Sequence, residues 1–183
     1  MAGGRCVIVV TGMLGAGCTE VAEILSRKLG IDYINSEKII RVLASERGMT
    51  FRDLADAAKS GEIHLDEAVA SMVEDYVNEG KVIVEGRSGL FALSLPVDLK
   101  VFLWAKKEDR VRMVAERRRL PVEEAEAEVE FSDAERKNLV RKLYRRDWLD
   151  ADLYDLVLNT SKWSYEEAAD IIVYAYNRRI NNG

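Results

Sequence analysis

Short apolar runs recur along the chain between longer segments in which apolar and polar residues alternate with a helical period. Residues 6–10 carry no charged side chain, and continuous apolar runs of this length are typical of strands buried on both faces of a parallel sheet. Further strands are predicted at 31–35, 82–85, 99–104 and 156–158. Between them, apolar side chains recur every three or four residues, which predicts amphipathic helices. Strands alternating with helices predict the α/β class, with a doubly wound parallel sheet that has helices on both faces.

Capping residues suggest where several of these helices begin and end. The first helix should end at Gly30, the next should be capped by Ser36, and Thr50 with Asp53 resembles a capping box. His64 is expected to be an exposed or capping residue near a helix start, without a catalytic role. Other predicted segments are a helix over 62–79, a basic helix over 106–119, an acidic stretch over 123–130, a basic helix over 136–146, and a final helix opened by a capping box at Ser164 and Glu167.

A glycine-rich loop follows the first strand and precedes the first helix. Gly12, Gly17 and Thr19 stand in register with the phosphate-binding pattern G-x-x-x-x-G-K-[ST]. In this geometry backbone N–H groups converge on an anion, and the helix N-terminus adds a positive dipole. An ordinary glycine-rich turn is the alternative, but the strand before and the helix after the loop favour phosphate binding. We therefore predict a nucleotide-binding loop over 12–19, which comprises Gly12, Met13, Leu14, Gly15, Ala16, Gly17, Cys18 and Thr19.

Cys18 stands where this pattern has its lysine. The substitution removes a point charge and leaves the backbone donors in place. We expect nucleotide binding to survive and phosphoryl transfer to be slower, so that Cys18→Lys would raise turnover. Turnover would not rise if another residue, such as Arg117 or Arg136, already fills that space.

Composition and charge narrow the class of protein. The chain has 183 residues, 48% of them hydrophobic, a net charge of −5 and two cysteines. These values predict one domain over 1–183 in a reducing, cytoplasmic compartment, without nucleic-acid or membrane partners. No apolar run approaches the length of a membrane span. The oligomeric state is left open between monomer and homodimer.

Polar side chains follow the ends of the predicted strands. Ser36, Glu85 and Asn159 come directly after one or at its last position, and Arg87 lies two residues beyond another. Arg41 is also expected near a strand end. Ligands of open α/β sheets bind at the carboxyl ends of the strands. We therefore expect these side chains beside the phosphate loop.

With these motifs the sequence resembles the archaeal cytidylate kinases, a family of nucleoside monophosphate kinases. The resemblance spans nearly the whole chain. It implies the P-loop kinase fold with five parallel strands, a helical lid at about 117–137, and an acceptor-binding segment at about 36–80. It also implies transfer of the γ-phosphoryl group of ATP, with Mg²⁺, to CMP or dCMP. The residues that carry it are the loop 12–19, SEKIIR at 36–41, ERGM at 46–49, VEGRSG at 84–89 and YDLVLNTSKW at 154–163.

The resemblance also implies roles for individual residues. Ser36, Arg41 and Arg87 would bind the acceptor nucleotide, and Asn159 and Thr160 would lie at the ATP site. Thr19 would coordinate the metal, with Glu85 orienting a metal-bound water. Arg110 and Arg117, on the helix that leads into the lid, would approach the phosphates or the adenine.

Several positions depart from the family pattern. Met113 replaces an expected arginine, and the segment 130–133 lacks the arginines of the far arm of the lid. Arg136, Lys137 or Arg141 could supply that charge, and Arg136 is included among the candidate catalytic residues. The departures leave two alternatives open: a degenerate nucleotide-binding paralogue with a regulatory role, and a kinase for another small phosphate acceptor.

Overall fold

The computed structural model describes residues 4–180, so the ends of the predicted domain 1–183 lie outside the described residues. The strands are β1 (Cys6–Gly12), β2 (Tyr33–Ile34), β3 (Lys81–Glu85), β4 (Leu99–Trp104) and β5 (Leu156–Asn159). The helices are α1 (Cys18–Leu29), α2 (Ser36–Glu46), α3 (Phe51–Lys59), α4 (Leu65–Glu79), α5 (Lys107–Arg118), α6 (Val122–Tyr144) and α7 (Tyr165–Ile180). Short 3₁₀ segments occupy Gly86–Ala92 and Ala151–Leu153.

All five strands are parallel and lie in the order β2-β3-β1-β4-β5. The central strand β1 is buried along its whole length, with Val9 opposite Val84 of β3 and Val10 opposite Val101 of β4. Two-sided burial accounts for its continuous apolar sequence. The predicted fold class is confirmed.

Helices cover both faces of the sheet. On one face, α1 and α7 bury Leu25 and Ile172 against the strands. On the other, α4, the 3₁₀ segment Gly86–Ala92 and α6 bury Val73, Leu90 and Val140. This double layer leaves the carboxyl ends of β1, β3 and β4 at one edge, where the glycine loop begins.

Three local predictions need correction. The acidic stretch and the second basic helix are one helix, α6, because no glycine or proline interrupts residues 122–144. Asn35, not Ser36, caps α2, since the Asn35 side chain accepts a hydrogen bond from the Lys38 N–H at 2.9 Å. Arg41 lies within α2 and not at a strand end.

Other local predictions are confirmed. Gly30 ends α1 in the left-handed conformation, and Thr50 with Asp53 forms the capping box of α3. Ser164 and Glu167 exchange the hydrogen bonds of a capping box at the start of α7. His64 is exposed at the start of α4. Among the described residues, no helix is both long enough and apolar enough to cross a membrane.

Candidate functional site

The glycine loop joins the end of β1 to the N-terminus of α1. Gly15 and Gly17 have φ values of 84° and 86°, a backbone region that residues with a Cβ atom rarely adopt. Gly17 is the N-cap of α1, and no side chain of the described chain caps this end. The N–H groups of the first helical turn have no intrahelical partners and therefore remain for an anion.

Neighbouring strands and loops hold this loop in place. The Met13 N–H donates to the Leu103 carbonyl at 3.0 Å, and the Thr160 hydroxyl donates to the Ala16 carbonyl at 2.9 Å. A Cβ atom on Gly12 would lie 2.1 Å from the Leu103 oxygen, so β4 requires glycine there. Thr160 thus braces the loop, and the Asn159 side chain accepts from the Ser161 N–H at 3.0 Å to shape the turn after β5.

Cys18 is buried at the start of α1. Burial raises the pKa of its thiol far above the ordinary value, the nearby Glu85 carboxylate adds to that rise, and the Arg136 guanidinium opposes it. The thiol is therefore neutral at physiological pH. The loop itself supplies no side-chain charge at the position where the phosphate-binding pattern has lysine.

Thr19 and Glu85 form a pair of oxygen ligands beside the loop. The Thr19 hydroxyl donates to the Glu85 carboxylate at 3.2 Å, and Glu85 is 6% exposed. Burial raises the Glu85 pKa, while hydrogen bonds from Asn35 and Thr19 act to lower it. A hydroxyl and a carboxylate are hard ligands of the kind Mg²⁺ prefers, so these residues fit the predicted metal site.

The Arg110 side chain extends from α5 and contacts the glycine loop. Its side chain is 6% exposed and forms a two-pronged ion pair with Asp133 of α6, both contacts at 2.9 Å. The same guanidinium lies 3.4 Å from the Leu14 carbonyl of the loop. Arg110 therefore ties α6 to the phosphate loop in this structure.

Arg117 and Arg136 line a cavity of about 310 Å³ that the loop opens into. Arg117 of α5 is 54% exposed and pairs with Glu20 of α1 at 3.0 Å. Arg136 of α6 contacts Ser132, one turn earlier on the same helix. The cavity also borders Gly15, Gly17, Cys18, Thr19, Glu37, Glu85, Gly86 and Met113, so it joins the loop to the region beyond β3.

The three residues predicted to bind an acceptor do not line this cavity themselves, although their chain neighbours Glu37 and Gly86 do. Arg87 forms a two-pronged ion pair with Asp66 of α4 at 2.9 and 3.2 Å. Arg41, 71% exposed, pairs with Glu37 on its own helix at 2.8 Å. The Ser36 hydroxyl oxygen is buried and has no hydrogen-bond partner within residues 4–180. A buried hydroxyl without a partner is costly, which indicates a site for a polar ligand.

Sequence reasoning missed four residues that shape the site. Asp133, Asp66 and Glu20 pair with the three arginines Arg110, Arg87 and Arg117. The Tyr165 ring packs so closely on the loop that a Cβ on Gly17 would lie 2.2 Å from it. Each partner lies on a different helix or loop, so no local sequence pattern signals these contacts.

Comparison with known proteins gives the family. Residues 7–162 match the model of the Cytidylate kinase-like family. A cytidylate kinase of Methanopyrus kandleri is 32% identical over 175 residues, covering 91% of this chain and 90% of its own. A cytidylate kinase of Pyrococcus horikoshii is 32% identical over 170 residues, covering 92% and 86%.

Solved structures agree on the fold. An uncharacterized protein from Eubacterium ventriosum superposes with a TM-score of 0.73 at 20% identity, covering 94% of this chain and 99% of its own. Shikimate kinase from Acinetobacter baumannii gives a TM-score of 0.62 at 17% identity, covering 92% and 91%. With its glycine loop and parallel sheet, the chain is a nucleotide-binding phosphotransferase of the P-loop kinase fold, and it belongs to the cytidylate kinase-like family.

Proposed function

We propose that this protein transfers the γ-phosphoryl group of ATP to a nucleoside monophosphate, with CMP or dCMP as the acceptor. The observation that carries the proposal is the cavity shared by the glycine loop, Arg117, Arg136 and the end of β3. Phosphoryl transfer needs donor and acceptor phosphates in line within one water-poor space. The relatives described above are cytidylate kinases, which supports CMP as the acceptor nucleotide.

The donor would bind along the loop. The N–H groups at the start of α1 would contact its phosphates, and Thr160, next to Asn159, would hold the loop through the Ala16 carbonyl. The adenine would lie in the adjoining cavity, which Gly15, Met113, Thr160, Ser161 and Tyr165 border. Thr19 and Glu85 would hold Mg²⁺, which when bound offsets phosphate charge. The remaining charge compensation would come from the arginines of α5 and α6.

The acceptor would bind between α2, α4 and the end of β3. Its phosphate would displace Asp66 from Arg87, because a phosphate accepts the same paired hydrogen bonds that the carboxylate accepts. Arg41 would leave its exposed pair with Glu37 at little cost. The Ser36 hydroxyl, which has no partner in the described part of the chain, would gain one from the acceptor.

ADP production with a panel of acceptors tests the proposal. Purified protein is incubated with ATP, Mg²⁺ and one of CMP, dCMP, UMP, AMP or shikimate, and ADP is followed by a coupled assay. We expect CMP or dCMP to give the highest kcat/KM. Thr19→Val, which keeps the side-chain shape and removes the hydroxyl, should weaken Mg²⁺-dependent turnover. Lys142→Met, on the exposed face of α6, is the matched control.

A second function has its own support. Both acceptor arginines are ion-paired in this structure, and Cys18 provides no charge to the loop. A protein that binds ATP with micromolar affinity and phosphorylates no member of the panel would be a nucleotide-binding regulator. Preference for a non-nucleotide acceptor would indicate a kinase of another specificity.

A further inference from the structure

The phosphate loop has no cation at its lysine position, and Arg136 of α6 lines the cavity that the loop opens into. Cys18 is buried and uncharged, so the N–H groups of the loop are the donors that the loop itself offers. Arg136 borders the same cavity as Gly17, Cys18 and Thr19. It also lies near enough to Cys18 for its charge to act on the thiol.

The Arg136 guanidinium is only partly satisfied by protein. Its Nη1 group contacts the Ser132 carbonyl at 3.4 Å and also donates to the Ser132 hydroxyl. Its Nε atom is buried and has no partner within residues 4–180. Burial lowers the pKa of Arg136, so this charge is held in a poorly hydrated place. A partly buried cation whose buried Nε–H has no partner among residues 4–180 fits a site for an anion.

The helix that carries Arg136 is fastened to the loop. Asp133, three residues before Arg136, forms the two-pronged pair with Arg110, and Arg110 lies against the Leu14 carbonyl. Val129, a turn earlier, packs in a small apolar cluster with Val111 and Val114, and Leu14 packs against the same cluster. These contacts fix the distance between α6 and the loop.

The other candidate cations are less suited. Arg117 is half exposed and paired with Glu20. Lys137 and Arg141 border a separate cavity with Arg145 and Asp147, not the one that the loop opens into. Of Arg136, Lys137 and Arg141 on α6, Arg136 is therefore the residue that borders the same cavity as Cys18.

We infer that Arg136 is the cation for the β- and γ-phosphates of the bound nucleoside triphosphate, in place of the loop lysine. Ser132 and the Arg110–Asp133 pair act as positioning residues for its guanidinium. Arg110 then serves the site through α6 rather than by touching a nucleotide. The inference rests on the proposed function for its substrate.

Charge relocation tests this inference. Arg136→Met should weaken ATP affinity in calorimetry at least tenfold and lower kcat about a hundredfold. The variant loses one charge-assisted contact to bound ATP, and in wild type that contact is stronger in the transition state of phosphoryl transfer than in the ground state. Cys18→Lys in that background should restore much of both losses. Cys18→Lys alone should give no gain, since Arg136 already occupies the space. Lys142→Met, which removes an exposed charge on the same helix, should change neither quantity.

Ser132 is tested by a different readout. Ser132→Ala should lower kcat several-fold with little change in the KM for ATP, because the cation remains but its orientation loosens. Ser132→Thr keeps the hydroxyl and should restore kcat. Equal losses in both variants would indicate a purely structural role.

The outcomes separate this inference from the proposed function. Wild-type ATP affinity in a folded Arg136→Met protein, or a gain from Cys18→Lys alone, would overturn it. If Arg136→Met does not fold, the Cys18→Lys result in the otherwise wild-type chain decides. If wild-type protein phosphorylates no acceptor, the proposed function fails, and ATP affinities of the same variants still test the role of Arg136.

Discussion

Replacing Gly17 by alanine tests how the tertiary structure constrains the loop. The new Cβ would lie 2.2 Å from the Tyr165 ring, in a position where φ is +86°. The left-handed backbone costs about 1–2 kcal/mol for a residue with a Cβ atom. Overpacking against the ring adds about 1–3 kcal/mol. Gly17→Ala should therefore lower the free energy of unfolding by about 2–5 kcal/mol, the sum of these two costs.

Gly30 provides the matched control. It also has a positive φ, +66°, but a Cβ there would meet no atom within 4 Å. Gly30→Ala should cost only the backbone part, about 1–2 kcal/mol, and leave ATP affinity unchanged. Gly17→Ala should abolish ATP binding, because the loop must shift to accept the methyl group. Urea unfolding and calorimetry with ATP and Mg²⁺ measure the two effects.

A double-mutant cycle with Tyr165→Ala isolates the overlap. Removing the ring gives the new methyl group space, so the two substitutions should couple by about 1–3 kcal/mol. Additive effects, or equal losses for Gly17→Ala and Gly30→Ala, would refute the claim that Tyr165 constrains the loop. ATP affinity like that of wild type in Gly17→Ala would refute the nucleotide-binding role of the loop.

Three further predictions concern the sides of the site and the packing of α6. Burial raises the Glu85 pKa above its ordinary value of 4.5, so the folded protein favours the protonated carboxyl group. This contribution to the free energy of unfolding is fully present below pH 4.5 and is lost as the pH rises through the raised pKa. Glu85→Gln should gain stability relative to wild type as pH rises above 4.5 in urea unfolding, and should weaken Mg²⁺-dependent ATP binding; parallel pH profiles would contradict this. Arg87→Lys should raise the KM for CMP about tenfold or more with ATP affinity kept, because lysine lacks the planar fork; unchanged CMP kinetics would remove Arg87 from the acceptor site. The Tyr144 hydroxyl donates to the Leu90 carbonyl at 2.6 Å, so Tyr144→Phe should cost about 1 kcal/mol of unfolding free energy, whereas Tyr174→Phe, at a side chain 66% exposed, should cost nothing measurable.

Local sequence was sufficient to predict the sheet and the loop. Buried parallel strands need unbroken apolar runs, and a loop that bends between β1 and α1 needs glycine at Gly15 and Gly17, where φ is positive. The capping box of α3 is likewise formed by neighbours, Thr50 and Asp53. These features depend on residues a few positions apart, so their pattern is visible without the fold.

The helix boundaries between residues 106 and 146 were less predictable. The change from acidic to basic residues suggested two segments, but charge does not end a helix, and α6 runs unbroken from Val122 to Tyr144. Ser36 and Asn35 are both good capping residues. The short strand β2 ends at Ile34, so Asn35 takes the cap position. The Ser36 hydroxyl then has no hydrogen-bond partner among residues 4–180.

The sequence by itself indicated a phosphate loop, showed that Cys18 takes the lysine position, and placed Arg87 near a strand end, but it wrongly placed Arg41 at one. Only the tertiary structure decided how those charges are used. Arg110 meets Asp133, and Arg87 meets Asp66, across separations of 23 and 21 residues. Contacts between residues so far apart in the sequence depend on the strand order and on how the helices pack on the sheet. No short-range sequence period encodes them. Long-range packing therefore determines that Arg136 and Cys18 line the same cavity, while the chain alone shows only that both residues are present.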